Sequence, residues 1–151
     1  MIYKKIYLDI CVFCRPFDDQ NILRNRIETD SYFMIMAGAK AGKYEIEISP
    51  AHVAEAEDIS DISERFELIS LFDEVCNFYK GNGTSKIRES AEKFHKAGFG
   101  VGDSAHLAYA EYIADVFITC EDRLVKKCRA LKTYNVPIIN PVEFIILEGL
   151  R

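Results

Sequence analysis

The 151-residue sequence predicts an α/β protein, a three-layer α/β/α sandwich with a mainly parallel central sheet. Short β-branched and apolar segments alternate with segments of helical period along the chain, which is typical of a parallel sheet covered by helices on both faces. Hydrophobic residues make up 49% of the chain, enough for an ordinary globular core. Because this length suits one domain, we expect residues 1–151 to form a single domain.

A strand, a helix and a second strand are predicted at the start of the chain. Residues 4–10 are rich in β-branched and aromatic side chains, and this strand ends near Asp9. A polar loop at residues 15–20 precedes a long helical pattern at residues 21–41. Residues 44–48 alternate apolar and acidic side chains, so they form a half-buried strand.

Helices dominate the middle of the predicted fold. One begins at Pro50, since proline suits the first turn of a helix. Further helices are predicted at residues 63–80, 85–97 and 103–114. The first of these three is amphipathic, and the residues expected to face the core are Phe66, Ile69, Phe72, Val75, Cys76 and Tyr79.

Two strands and two helices are predicted in the last third. Residues 116–119 form a buried strand and residues 122–132 a helix. Residues 136–139 form a final strand, and Pro137 predicts that it lies at a sheet edge. Asn140 caps the last helix. In such open sheets the ligand site lies beyond the carboxyl ends of the strands.

Several acids stand at these strand ends and at the helix starts that follow them. Singly, Asp103 and Asp122 are also explained as helix caps, and Glu55 as part of a solvated helix face. A carboxylate at the buried end of a strand is costly unless it is paired or binds a cation, and converging acids repel one another without one. Oxygen ligands favour Mg²⁺ or Mn²⁺ over zinc. The candidate acids are Asp9, Glu55, Asp103, Glu121 and Asp122.

The composition excludes several classes of protein. No apolar run approaches the ~20 residues of a membrane span, and the charged N-terminus is unlike a signal peptide. We therefore expect a cytoplasmic protein with no membrane association and five free thiols. The net charge of −5 argues against binding nucleic acid through bulk charge. An acid excess gathered at one metal site removes that objection.

Four segments, in order, resemble the motifs of the PIN domain family, which includes the VapC-type ribonuclease toxins. Residues 7–13 resemble the opening strand with its leading Asp, and residues 49–55 the Ser followed six positions later by Glu. Residues 103–108 are similar to the third motif, an Asp before His-Leu-Ala. Residues 117–124 are similar to the fourth, in which Thr precedes an acid two positions on. The loop at residues 15–20 also resembles a subgroup of small prokaryotic members.

The resemblance implies a metal-dependent endoribonuclease that uses one or two Mg²⁺ or Mn²⁺ ions. Asp9 and Asp103 would bind the metal directly, and Glu55 would complete the shell. Glu121 or Asp122 would bind a second ion or hold the attacking water; which of the two faces the metal stays open. It also implies an antitoxin partner and a homodimer, for which we expect the apolar side chains Phe33, Met34 and Met36.

This sequence departs from the family pattern at two positions. Cys11 stands where the family has a small polar residue, and sulfur forms weaker hydrogen bonds. Glu121 is one methylene longer than the usual Asp. These changes leave open a second interpretation, a PIN-like protein that binds RNA or a partner without cutting.

Basic residues close to the fourth motif are candidates for RNA contact. Residues 123–132 contain five bases and no acid. Those nearest the predicted crevice would meet RNA phosphates, although bases late in a helix also favour the helix dipole. The RNA-binding candidates are Arg15, Arg123, Lys126 and Lys127.

Cys11 and Cys14 form a CxxC pair after a strand, which raises a third interpretation, a dithiol oxidoreductase. That interpretation leaves the acids unexplained. We expect packed thiols instead.

Overall fold

Five short parallel strands form one sheet in the computed structural model, which describes residues 3–81 and 83–149. Each pair of neighbouring strands runs parallel. The strands are β1 (Lys5–Leu8), β2 (Glu45–Ile48), β3 (Asn77–Phe78), β4 (Val116–Ile118) and β5 (Ile138–Ile139), and their order in the sheet is β3-β2-β1-β4-β5.

Helices connect the strands and cover both faces of the sheet. Within the described residues, none of them combines the length and the apolar character that a membrane span requires. The helices are α1 (Ile10–Cys14), α2 (Leu23–Lys40), α3 (Pro50–Glu57), α4 (Ile62–Val75), α5 (Thr84–Lys96), α6 (Val101–Ile113), α7 (Asp122–Leu131) and α8 (Pro141–Gly149), with a 3-10 turn at Arg15–Phe17.

Alternate residues of the central strands point into two separate hydrophobic cores, one on each face of the sheet. Ile6 and Leu8 of β1 join the core that contains α2, α4 and α8. Tyr7, which points to the other face of the sheet, joins the core that contains α5, α6 and α7. Two apolar layers on either side of one parallel sheet confirm the predicted α/β/α sandwich.

The strand order places a switch point beside β1. From β1 the chain builds β2 and β3 on one side, and it then returns to add β4 and β5 on the other side. Ligands of such sheets bind where the order reverses, outside the carboxyl ends of the strands. The ends of β1 and β4 are therefore where a site is expected. The edge position predicted from Pro137 is confirmed, because β5 is the last strand.

The predicted helix at 63–80 was too long. Helix α4 ends at Val75, and the chain then forms β3, where Asn77 pairs with Glu47 of β2. The expected core contact of Phe72 is confirmed, but Phe66 points outward, with 72% of its surface exposed, and Leu68, which was not predicted, is buried instead. After Val75, the pairing of β3 with β2 therefore overrides the helical period of the sequence.

Two further differences concern short segments. Helix α1, which was not predicted, begins directly after Asp9, and the side chain of Asp9 caps it by accepting the Ile10 N–H. Of the three side chains expected at a dimer interface, Phe33 and Met34 are more than half exposed, but Met36 is buried in the core. A single domain over residues 1–151 stays a prediction.

Candidate metal site at the carboxyl end of the sheet

Asp9 occupies the switch point between β1 and β4. Its side chain is almost completely buried, and the two oxygens have separate partners. Oδ1 accepts the Ile10 N–H at 2.8 Å, and Oδ2 accepts the hydroxyl of Thr119 at 2.8 Å. The backbone N–H of Asp9 donates to the carbonyl of Ile118 at 2.8 Å. These bonds fix the carboxylate at the end of the sheet.

Cys11 and Glu121 converge on Asp9. One carboxylate oxygen from each acid and the sulfur of Cys11 lie within 4.8 Å of one another, close enough to hold a metal ion. Thr119 organises the group, because its Oγ1 accepts the Glu121 N–H at 3.1 Å and donates to Asp9. The sulfur of Cys11 accepts the Cys120 N–H at 3.4 Å.

Glu55 is held by a buried chain of hydrogen bonds. Nε2–H of His106, on α6, donates to the Glu55 carboxylate. Nδ1 of His106 lies 2.7 Å from the hydroxyl of Tyr7, and that hydroxyl lies 2.8 Å from Oγ of Ser49. Tyr7 and His106 are fully buried, so α3, β1 and α6 are joined at one point.

A second buried histidine anchors the start of α3. The Ser49 N–H donates to Nδ1 of His52 at 3.0 Å, so Nε2 carries the proton and donates to the Leu8 carbonyl at 2.6 Å. Burial, helped by the neighbouring His106, holds the pKa of His52 well below its ordinary value. His52 is therefore a neutral structural residue under the strand that carries Asp9.

The acids of this group influence one another's titration. Burial and then the charge of Asp9 raise the pKa of Asp103, and the same two causes raise the pKa of Glu121. Burial by itself lowers the pKa of His106, but the hydrogen bond to Glu55 and the charge of Asp9 outweigh it, so the pKa is raised overall. The sheet end therefore concentrates negative charge that a cation would stabilise.

Asp122 lies outside this group, although the prediction included it. Arg24 donates two hydrogen bonds to its carboxylate, from Nη1 to Oδ2 at 2.7 Å and from Nη2 to Oδ1 at 2.8 Å. The hydrogen bond with Arg24 is the main cause that lowers the pKa of Asp122. Of the two neighbouring acids, Glu121 turns toward Asp9 and Asp122 turns toward Arg24.

The four basic residues predicted to contact RNA differ in their surroundings. Arg15 belongs to an ion-pair network, because it donates to buried Glu28 at 3.1 Å and to Asp18 at 2.9 Å. Nζ of Lys127 donates to the Gly98 carbonyl and lies 4.7 Å from the centre of the Phe99 ring. Arg123 and Lys126 are exposed on α7.

The cysteines have the properties of packed thiols. All five are free. Burial is the main cause that raises the pKa of Cys14 to about 12, and a hydrogen bond with Cys120, followed by burial, raises that of Cys11. A reactive dithiol needs a lowered pKa. The structure therefore disfavours the oxidoreductase interpretation.

Sequence reasoning missed the residues that support the acids. His52 stands three positions after Ser49, a spacing typical of a capping box, and this signal was available. Thr119 was identified only as a motif position. Tyr7 was assigned to a strand, and nothing in its pattern indicated that its hydroxyl joins Ser49 to His106.

Comparisons with known proteins support the fold. Neither a protein-family model nor a curated protein matches the sequence. Among solved structures, a chain of VapBC2 from Rickettsia felis, bound to a DNA fragment from their promoter, matches with a TM-score of 0.57 and 17% identity. The match covers 90% of this chain and 98% of that chain.

Two structures of a second complex also match. A chain of FitAcB from Neisseria gonorrhoeae gives a TM-score of 0.51 at 17% identity, covering 90% of this chain and 97% of that chain. A chain of FitAB bound to the IR36 DNA fragment gives a TM-score of 0.52 at 18% identity. The match covers 91% of this chain and 95% of that chain. The chain therefore shares its fold, over nearly its whole length, with a component of each of these complexes.

Proposed function

We propose that the protein is a metal-dependent endoribonuclease that hydrolyses RNA phosphodiester bonds. The observation that carries this proposal is the convergence of Asp9, Cys11 and Glu121 at the switch point of the sheet, within 4.8 Å of one another. Glu55 and Asp103 act electrostatically on the same place, since both charges affect the pKa of Glu121.

The carboxylates at this end of the sheet fit a hard divalent cation, in contrast to the sulfur of Cys11. Asp9, Glu55, Asp103 and Glu121 offer carboxylate oxygens, the ligands that Mg²⁺ and Mn²⁺ prefer. We propose one or two such ions at this site. A bound ion supplies Lewis-acid catalysis, polarising the phosphodiester and activating water.

The surrounding residues hold these acids in place. Thr119 and the Ile10 N–H leave Asp9 with little freedom to turn away. His106 orients Glu55 through the hydrogen bond from its Nε2–H, and, against the lowering effect of burial, this bond is the main cause that raises the pKa of His106. We propose that Arg123, Lys126 and Lys127, in the first half and middle of α7, meet the RNA phosphates. Arg15 is left out because the carboxylates of Glu28 and Asp18 already neutralise its charge, whereas Lys127 contacts only a neutral carbonyl and an aromatic ring.

We further propose that the protein is the toxin of a toxin–antitoxin pair in the cytoplasm. The support comes from the fold shared with chains of the VapBC2 and FitAB complexes, and from an exposed apolar groove. Phe17 and Phe33 are 40% and 57% exposed and line this groove together with Leu71. Apolar surface of this kind marks protein interaction sites, here for the antitoxin. The homodimer also remains part of this proposal.

An RNA cleavage assay tests the proposed activity. We expect single-stranded RNA to be cut in the presence of Mn²⁺, EDTA to stop the cutting, and Asp9→Asn or Asp103→Asn to abolish it. Glu57→Gln is the matched control, because Glu57 is an exposed acid two positions from Glu55. Equal cleavage by the wild type and Asp9→Asn would point to a contaminating nuclease and refute the proposal.

A second candidate function is favoured by one observation. Cys11 places a weakly bonding sulfur beside Asp9 where the PIN-like pattern has a small polar group. A site weakened in this way suits a protein that binds RNA or a partner without cutting. If Mn²⁺ binds but no RNA is cut across several substrates, this second function replaces the first.

A further inference from the structure

Arg24 binds both neighbours of Glu121. This residue lies in the first turn of α2, almost a hundred positions from the loop between β4 and α7. Its Nη2 donates to the backbone carbonyl of Cys120 at 3.1 Å and to Asp122 at 2.8 Å, while Nη1 donates to Asp122 at 2.7 Å. One guanidinium therefore holds the loop immediately before and immediately after Glu121.

Arg24 is itself anchored by a buried acid. Its Nε donates to Oε1 of Glu28 at 3.3 Å, and Glu28 is only 3% exposed. The same oxygen accepts a hydrogen bond from Arg15 at 3.1 Å. A planar guanidinium with this many fixed partners has few alternative orientations. Through Arg24 and Glu28, the loop around Glu121 is therefore bound to helix α2.

The opposite side of the loop is fastened to the acid group. The Glu121 N–H donates to Thr119, and Thr119 donates to Asp9. The loop that bears Glu121 is therefore held from the inside by Thr119 and from the outside by Arg24. Without the outer contact, repulsion from the neighbouring acids would favour a loop that turns Glu121 away.

We propose that Arg24 is a positioning residue that keeps Glu121 directed toward Asp9. This inference rests on the proposed function of the acid group. Arg24 does not touch the metal ligands; it acts through Cys120 and Asp122. Residues outside a metal's ligand shell that orient its ligands typically change affinity or activity by about 10–100-fold when they are replaced.

Two variants and a control separate positioning from simple loss of structure. Arg24→Gln removes the contacts to the loop, and Asp122→Asn weakens the same contact while leaving Glu28 paired with both arginines. Arg26→Gln is the matched control, because Arg26 is an exposed arginine on the same helix turn whose Nε donates to the Gln20 carbonyl. If Arg24→Gln does not fold, Asp122→Asn alone carries the test.

The first readout is Mn²⁺ binding in the absence of RNA, by titration calorimetry. We expect Arg24→Gln to bind Mn²⁺ about tenfold more weakly than the wild type, Asp122→Asn to change in the same direction, and Arg26→Gln to match the wild type. Unchanged Mn²⁺ affinity in both folded variants would overturn the proposal.

The second readout does not depend on metal. We expect the Glu121 amide to exchange its hydrogen faster in Arg24→Gln and Asp122→Asn than in Arg26→Gln, because its bond to Thr119 opens more often. Unchanged exchange in both variants would overturn the positioning role even if the wild type binds Mn²⁺. A wild type that binds no Mn²⁺ refutes the proposed function instead, and exchange then decides the positioning role alone.

Discussion

Two groups of acids lie next to each other at the carboxyl end of the sheet, and they are stabilised in different ways. In the first, Asp18, Glu28 and Asp122 are paired with Arg15 and Arg24. The second group consists of Asp9, Glu55, Asp103 and Glu121, and within the described part of the chain no arginine or lysine forms a salt bridge with it; its basic contact is the hydrogen bond from His106 to Glu55.

In the first group each carboxylate has an arginine partner. In the second group, within the described residues, no carboxylate has one. In the first group arginine neutralises the carboxylates, and the pKa of Asp122 is lowered, with its hydrogen bond to Arg24 as the main cause. In the second group burial and mutual repulsion raise the pKa of Asp103 and of Glu121. Adjacent positions, 121 and 122, thus belong to opposite groups. The second group is the one that gains from binding a cation.

The largest expected effect is on RNA cleavage. Asp9→Asn should lower the cleavage rate at least about a hundredfold, since it removes the proposed direct metal ligand, whereas Asp122→Asn should lower it about tenfold through the position of Glu121. Initial rates on a fluorogenic RNA with saturating Mn²⁺ give both values. A greater loss in Asp122→Asn than in Asp9→Asn would reverse the assignment of the two groups.

The hydrogen-bond chain beneath Glu55 gives the next effect. Tyr7→Phe deletes a buried hydroxyl that contacts Ser49 and His106, and unsatisfied buried partners cost about 1–3 kcal/mol of unfolding free energy. Urea denaturation measures this loss. Tyr112→Phe is the control, since Tyr112 is 48% exposed and should change stability by less than about 0.5 kcal/mol. Equal stability of the two variants would show that the chain contributes nothing.

Neutralising one acid from each group should give opposite signs in metal-free protein. Asp103→Asn relieves repulsion and should raise the free energy of unfolding by about 0.5 kcal/mol, a small effect because the group is partly solvated. Asp122→Asn weakens the pair with Arg24 and should lower it. Thermal unfolding in EDTA compares the two. A loss of stability in Asp103→Asn would mean that this carboxylate already has a compensating partner.

The dependence of stability on pH should also have opposite signs in the two groups of acids. A raised folded-state pKa means that Asp103 and Glu121 bind protons more readily when folded, so they stabilise the metal-free protein as pH falls from neutral toward the ordinary carboxyl value of about 4. The lowered pKa of Asp122 has the opposite sign, because its stabilisation is present above that value and is lost as pH falls through the folded-state pKa.

Denaturation at several pH values, with each variant, measures these contributions. Asp103→Asn should reduce the gain in stability on acidification, and Asp122→Asn should reduce the loss at still lower pH. If the wild type and both variants showed the same dependence of stability on pH, the raised pKa of Asp103 and the lowered pKa of Asp122 would be contradicted.

The sequence predicts the fold and most of the acid group because both follow local rules. Alternation of strands and helices indicates the sandwich, and acids after parallel strands must meet at one edge of the sheet. That reasoning treated Glu121 and Asp122 alike, since both follow β4. What separates them is Arg24, and no periodicity links α2 to a loop almost a hundred positions later. The early end of α4 escaped prediction because the pairing of β3 with β2 decided it.

Titration calorimetry with Mn²⁺ tests the central claim most directly, that the group of Asp9, Glu55, Asp103 and Glu121 is a divalent-cation site. We expect one or two ions to bind per chain in the wild type, binding to be at least about tenfold weaker in Asp9→Asn, and Glu57→Gln to bind like the wild type. A folded wild type that binds no Mn²⁺, or an Asp9→Asn variant that binds it equally well, would contradict the claim.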